Sequence, residues 1–74
     1  MTPAEAIERS RETVQAYGGE RYIDEMRACV QKVGFEMYME ITRKQADDMF
    51  GPSARAAFNS REFRMYVAGL LGMC

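Results

Sequence analysis

Residues 20–50 read ERYIDEMRACVQKVGFEMYMEITRKQADDMF, and this stretch decides the fold because its apolar residues recur at helical spacing. The repeats lie three or four residues apart over about five turns, which marks one face of an α-helix. Gly34 interrupts the pattern without shifting its phase. The members of the apolar face are Ile23, Met26, Val30, Val33, Met37 and Ile41.

Gly34 leaves more than one interpretation of this stretch. A glycine inside a helix costs roughly 1 kcal/mol relative to alanine, which a long helix can tolerate. We therefore predict one long central helix over about residues 20–50, with two helices hinged at Gly34 as the alternative. Residues 35–42 also alternate apolar and mostly polar side chains, as a half-buried strand does. A short strand there would make the fold α+β, although Met and Glu favour the helix.

A first helix is predicted before this stretch. Thr2-Pro3-Ala4-Glu5 combines a hydroxyl cap, a proline at the first helical position and a glutamate three residues after the cap. This is the pattern of a capping box. The helix should run to about Tyr17, because Gly18-Gly19 can supply the left-handed backbone that ends a helix.

Shorter elements are predicted after the central stretch. Gly51-Pro52 ends the stretch, because proline cannot continue the helical hydrogen bonding. Ser53 can cap a short helix that runs through Phe58. Asn59, with Glu62 three residues later, forms a second capping box for a last helix.

The chain of 74 residues is expected to form a single helical domain over residues 1–74, all-α, with three to four helices. No stretch approaches the roughly 18 apolar residues that a membrane span needs, and residues 1–7 do not resemble a signal peptide. We therefore expect a cytoplasmic protein with no membrane partner. In that compartment both cysteines stay reduced, Cys29 as a small core residue and Cys74 as a free thiol.

Composition argues against most catalytic chemistry. The chain has no histidine, no tryptophan and only two cysteines, so the usual bases and metal ligands are missing. Carboxylates recur at Glu36 and Glu40, one turn apart, and at Asp47-Asp48, and we interpret both as solvated surface. We expect no enzyme activity, no cofactor and no bound metal.

Methionine is the most informative excess, with seven in the chain. Methionine fills irregular cores and also suits adaptable docking surfaces. We expect Met26, Met37, Met49 and Met65 to fill the core. Other apolar residues fall beside the main apolar face and are predicted to form a protein interface. These are Phe35, Tyr38, Met39, Phe50, Tyr66 and Met73.

This apolar surplus predicts protein partners. A chain of this length has a small margin of stability without disulfides or metals. One expected partner is a second copy, as a homodimer whose long helices pair antiparallel across Gly34 and bury the apolar residues 69–74. The other is a larger protein. The predicted function is that of a small regulatory protein: an adaptor, an assembly factor or a stoichiometric inhibitor, including the type that phages make against host machinery.

A DNA-binding regulator is the alternative. Residues 42–50, the Gly51-Pro52 turn and the segment after it resemble a helix-turn-helix arrangement, in which basic side chains contact DNA. The net charge of −1 argues against a nucleic-acid partner. Charge is uneven, however: residues 1–42 carry five basic and eight acidic side chains (−3), and residues 43–74 carry five and three (+2). The candidate DNA contacts are Arg55, Asn59, Arg61 and Arg64.

Overall fold

The computed structural model describes residues 1–73, and over these residues the chain is all-α, with five helices and no strand. The all-α prediction is confirmed, whereas the alternative strand at 35–42 is wrong because those residues are helical. Five helices replace the three or four predicted. Cys74 lies outside the described residues. The helices are α1 (Pro3–Ala16), α2 (Glu20–Val33), α3 (Phe35–Phe50), α4 (Pro52–Phe58) and α5 (Arg61–Leu70).

Gly34 separates α2 from α3, so the prediction of one unbroken central helix is wrong and the two-helix alternative is correct. Its φ of +89° and ψ of 155° belong to a region that is almost closed to other residues. Its N–H still donates to the Val30 carbonyl at 2.8 Å, and its own carbonyl accepts from the Tyr38 N–H at 3.0 Å. Helical hydrogen bonding therefore reaches the glycine from both sides, and the chain changes direction at this one residue.

Helix starts follow local capping chemistry. The capping box of α1 is confirmed, since Thr2 Oγ1 accepts from the Glu5 N–H at 3.2 Å and Glu5 Oε1 accepts from the Thr2 N–H at 3.1 Å. At α5 the cap is Ser60, whose Oγ accepts from the Phe63 N–H at 3.2 Å, and not the predicted Asn59.

The start of α4 differs by two positions from the prediction. The helix begins at Pro52 with Gly51 as its cap, so Ser53 lies inside the first turn and does not cap it. Proline suits this first helical position because its missing N–H would have no helical partner there. Helix α4 is short, with only seven residues from Pro52 to Phe58.

The break at Gly34 also changes which side of α3 faces inward. Ile23 and Met26 on α2 are buried as predicted, but the continuation of their stripe is not. Met37 is 53% exposed, whereas Met39, which was assigned to the interface, is completely buried. The separate orientation of α3 is the physical reason, because its inward face is centred on Met39 and Ala46.

All five helices contribute buried side chains to one core. Phe63, Met39 and Val67 are its largest fully buried side chains. Buried alanines on α1 and α4 allow close approach of the helices. Helix α3 packs most extensively on α4, and α1 packs on α4 and α5, but α1 and α3 do not pack closely on each other. This arrangement leaves space between α1 and α3.

Candidate protein-docking groove

An open groove of about 720 Å³ occupies the space between α1 and α3. We call it the docking groove. One edge is a single stripe of α3, at positions one helical turn apart. The members of that stripe are Tyr38, Thr42, Gln45 and Met49. Opposite them lie Ser10 and Thr13 of α1 and Tyr17, the residue that caps the end of α1.

Aromatic rings form much of the groove wall. Phe50 stacks on Phe58 with ring centroids 6.2 Å apart, and Phe58 meets Phe63 at 4.7 Å. At the other end Tyr17 stacks on Tyr22 at 5.7 Å. Paired rings of this kind hold one another in fixed orientations. The groove is therefore a preformed apolar surface.

Two large apolar side chains of the groove face the solvent. Tyr17 at the end of α1 is 68% exposed, and Met49 on α3 is 70% exposed. Tyrosine and methionine are both enriched at protein interfaces. Tyr38, which also lines the groove, is half-buried, and this burial raises the pKa of its phenol to about 12. Its hydroxyl therefore remains a neutral hydrogen-bonding group at physiological pH.

Charge at the groove is carried by three side chains. Arg9 and Glu12 on α1 form an ion pair at 3.3 Å, so they neutralise each other. Asp48 on α3 differs, because none of the described lysines or arginines lies within 4 Å of its carboxylate. The charge left at the groove is negative and lies near the carboxyl end of α3.

The six residues predicted as a protein interface do not form one surface. Tyr38 and Phe50 line the docking groove. Met39 is a core residue, so its assignment to an exposed interface is corrected. Phe35 and Tyr66 are half-buried elsewhere and lie under arginine side chains.

Met73, the sixth of these residues, is half exposed. It lies against α2 beside Val30 and Leu71, at a separate small cavity of about 170 Å³. The apolar residues 69–74 were expected to be buried in a homodimer. Leu71, one of them, is buried within the chain itself. The Arg27 guanidinium donates to the Leu71 carbonyl at 3.1 Å and so ties this turn to α2.

Sequence reasoning missed two prominent groove residues. Tyr17 was named only as the approximate end of the first helix, and Met49 was assigned to the core. Met65, also assigned to the core, is 58% exposed on α5. Met39 lies on the buried face of α3. Once that face is known, the spacing places Tyr38 and Met49 together on one side of the helix. The residue spacing therefore showed that Tyr38 and Met49 share a face of α3. Whether this face is exposed depended on the break at Gly34.

The candidate DNA contacts are mostly engaged within the chain. Arg55 lies 3.6 Å from Glu40, and Arg64 forms an ion pair with Glu36. Asn59 accepts a hydrogen bond from the Arg43 guanidinium at 2.6 Å. Arg61 is exposed and makes no ion pair with the described residues.

Residues 1–73 hold neither a cluster of metal ligands nor a helix suited to cross a membrane. No group of three or more cysteine, aspartate or glutamate side chains in this part of the chain is arranged to hold a metal ion. None of its helices combines the length and apolar character needed to cross a bilayer. No family model matches the chain, and neither the curated proteins nor the solved structures contain a match.

Proposed function

We propose that this protein is a small interaction module that binds a larger protein through the docking groove. One observation carries the proposal: Tyr17 and Met49 stay largely exposed beside an aromatic wall after the chain has completed its own core. Covering such a surface removes apolar area from water, which is the main favourable contribution to protein association. Tyrosine in a pocket also belongs to the residue types that dominate binding energy at interfaces.

Occupancy of a partner surface is the proposed mode of action. The protein would serve as an adaptor, an assembly factor or a stoichiometric inhibitor, and inhibitors of host machinery made by phages belong to this class. The proposal needs no chemical step and no cofactor. A homodimer stays a separate prediction, although pairing across Gly34 loses its basis because α2 and α3 are not one straight helix.

The ion pairs of α3 weigh against DNA binding as the main function. Arg55 and Arg64 face carboxylates, and Asn59 faces Arg43. A side chain held in this way would have to give up its partner before it contacts a phosphate or a base edge. We therefore favour a protein partner, and the experiment includes an arm that detects nucleic acid.

The test is affinity purification of the tagged protein from host lysate, with and without nuclease, for wild type, Met49→Asp and Met65→Asp. Both variants place a carboxylate at a highly exposed methionine, but only Met49 lines the groove. We expect a nuclease-resistant protein at near-equal stoichiometry with wild type and Met65→Asp. Met49→Asp should lose it. Capture that depends equally on both methionines, or that disappears with nuclease, would contradict the proposal.

A further inference from the structure

The shape of the docking groove limits what can occupy it. The groove is open to solvent and lies between two helices. An apolar small molecule normally requires a cavity that encloses most of its surface. An amphipathic helix buries only one face, and an open groove between helices matches that need.

The charge at one end of the groove limits the occupant further. Asp47 and Asp48 lie in the last turn of α3, which contains no basic residue. The carbonyl end of a helix carries partial negative charge, so two carboxylates there repel it. Lys44, one turn earlier than Asp48, does not reach it within ion-pair distance. The isolated chain therefore keeps an unfavourable local charge beside its most exposed apolar surface.

We propose that the docking groove binds an amphipathic helix whose apolar face packs against Tyr17 and Met49 and whose lysine or arginine pairs with Asp48. The inference rests on the proposed function and specifies the class of partner. A cation at this position offsets both the Asp48 carboxylate and the carbonyl end of α3. The Arg9–Glu12 pair on the opposite edge is already neutral and leaves the groove's charge preference to Asp48.

The test is a selection from a displayed library of helical peptides about four turns long, with a fixed apolar face and randomised flanking positions. The full-length protein serves as bait, as wild type, Asp48→Lys, Asp48→Asn and Glu62→Lys. We expect Lys or Arg to be enriched at one flanking position on wild type. Asp48→Lys should enrich Asp or Glu at that position, and Asp48→Asn should show no charge preference there. Glu62→Lys, an equal charge reversal on α5, should select the wild-type pattern.

Two further measurements separate binding from folding. A peptide selected on wild type should bind Asp48→Lys about 3- to 10-fold more weakly. The same variant should raise the urea midpoint of the free protein, because it removes a carboxylate from the carbonyl end of α3. Greater stability with weaker binding is a combination that general damage to the fold does not produce.

The inference is overturned if the enriched charge is unchanged by Asp48→Lys, or if selected peptides bind Met49→Asp as tightly as wild type. A selection that yields no helical binder also overturns it. In that case, capture from lysate that still depends on Met49 would leave the proposed function standing with a non-helical partner. Sedimentation equilibrium tests whether a second copy of the chain occupies the groove. A dimer that Met49→Asp dissociates would identify that copy as the occupant and overturn the inference.

Discussion

The two edges of α3 differ in how they meet their neighbours. Along the edge towards α4 and α5, polar side chains one turn apart reach across: Glu36 to Arg64, Glu40 to Arg55, and Arg43 to Asn59. Along the edge towards α1, the stripe from Tyr38 to Met49 meets no such partners and borders the docking groove. The same helix is closed on one edge and open on the other.

The difference shows how the uneven charge of the chain is used. The acidic first part and the basic second part meet at the closed edge, where Glu36 and Glu40 face arginines from later helices. On this side, opposite charges of the chain pair with each other. The open edge carries apolar side chains and one unpaired carboxylate, Asp48, which are features that a partner can complement.

The strongest way to break both edges is to remove Phe63, which lies beneath them. Phe63 is fully buried and contacts the rings of Phe58 and Tyr66. Phe63→Ala should cost about 3–5 kcal/mol of unfolding free energy, because it removes a large core side chain and leaves a cavity. That is a large part of the roughly 4–11 kcal/mol expected for a chain of this length. Urea denaturation followed by circular dichroism measures the loss.

Met65→Ala is the control for Phe63→Ala, because Met65 is exposed on the same helix. Its effect should stay within about 0.5 kcal/mol. If the two variants lost similar free energy, the assignment of Phe63 to the centre of the core would be wrong.

The orientation of α3, and with it both edges, depends on Gly34. Gly34→Ala should lose about 1–3 kcal/mol, because the left-handed backbone at this residue disfavours any side chain. No atom lies within 4 Å of the position that a Cβ would occupy, so the cost comes from the backbone and not from a clash. Urea midpoints measure the difference from wild type.

Gly69→Ala is the matched control for Gly34→Ala. Gly69 lies inside α5 and also has open space at the Cβ position. In an ordinary helical conformation, alanine is favoured over glycine by roughly 0.5–1 kcal/mol, so this variant should be more stable than wild type. A loss of stability in Gly34→Ala together with a gain in Gly69→Ala supports a hinge at Gly34. Changes in the same direction in both variants contradict it.

The open edge should respond to high pH through Tyr38. Burial raises the pKa of this phenol from its usual 10 to about 12, so the folded state holds the proton more tightly than the unfolded state. The resulting stability is complete below about pH 10 and is lost as the pH rises through about 12. The urea midpoint should therefore fall less between about pH 8 and about pH 11 in Tyr38→Phe than in wild type.

Tyr66→Phe serves as the comparison for Tyr38→Phe, since both changes remove one phenolic hydroxyl. The same fall in Tyr38→Phe and Tyr66→Phe would show that Tyr38 does not report on burial at the groove.

The smallest effect is expected at the closed edge. Hydrogen bonds from the Arg64 guanidinium lower the pKa of Glu36 below its usual range. The contribution of this pair is present at neutral pH and is lost as the pH falls through the lowered pKa. Glu36→Gln should therefore show a slightly smaller loss of urea midpoint between neutral and acidic pH. The effect is small because Glu36 is solvent-exposed, where water and salt weaken ion pairs.

Glu25→Gln provides the reference for this measurement, since Glu25 is exposed on α2 and makes no ion pair with the described residues. If Glu36→Gln behaved as Glu25→Gln does, the Glu36–Arg64 pair would contribute nothing measurable to the stability of the closed edge.

Much of the local structure was predictable from the residues. The capping box at Thr2, the end of α1 before Gly18 and the break at Gly51-Pro52 all follow from short-range chemistry. Short-range signals also placed a glycine at the boundary of α2 and α3, but they could not choose between a tolerated glycine and a hinge. That choice depends on the packing contacts that α3 makes once the chain changes direction at Gly34. No local sequence pattern contains this information.

The candidate site was predictable only in part. Tyr38 and Phe50 were identified as surplus apolar residues, and both line the groove. Met39 was assigned to the interface and Met49 to the core, and the structure shows the opposite. Helical periodicity indicates which residues share a face, but not which face is buried. Once the chain bends at Gly34, the two methionines exchange roles.

The sequence by itself determined that this chain is helical, where α1 begins and ends, where α3 ends, and that it carries more methionine and aromatic side chains than a small core needs. These properties follow from capping, backbone preference and composition, which act within a few residues. Only the tertiary structure decided which apolar stripe of α3 is buried, which arginines are paired and where the groove opens. Those outcomes depend on helix orientation, and orientation is set by packing between residues that are distant in the chain.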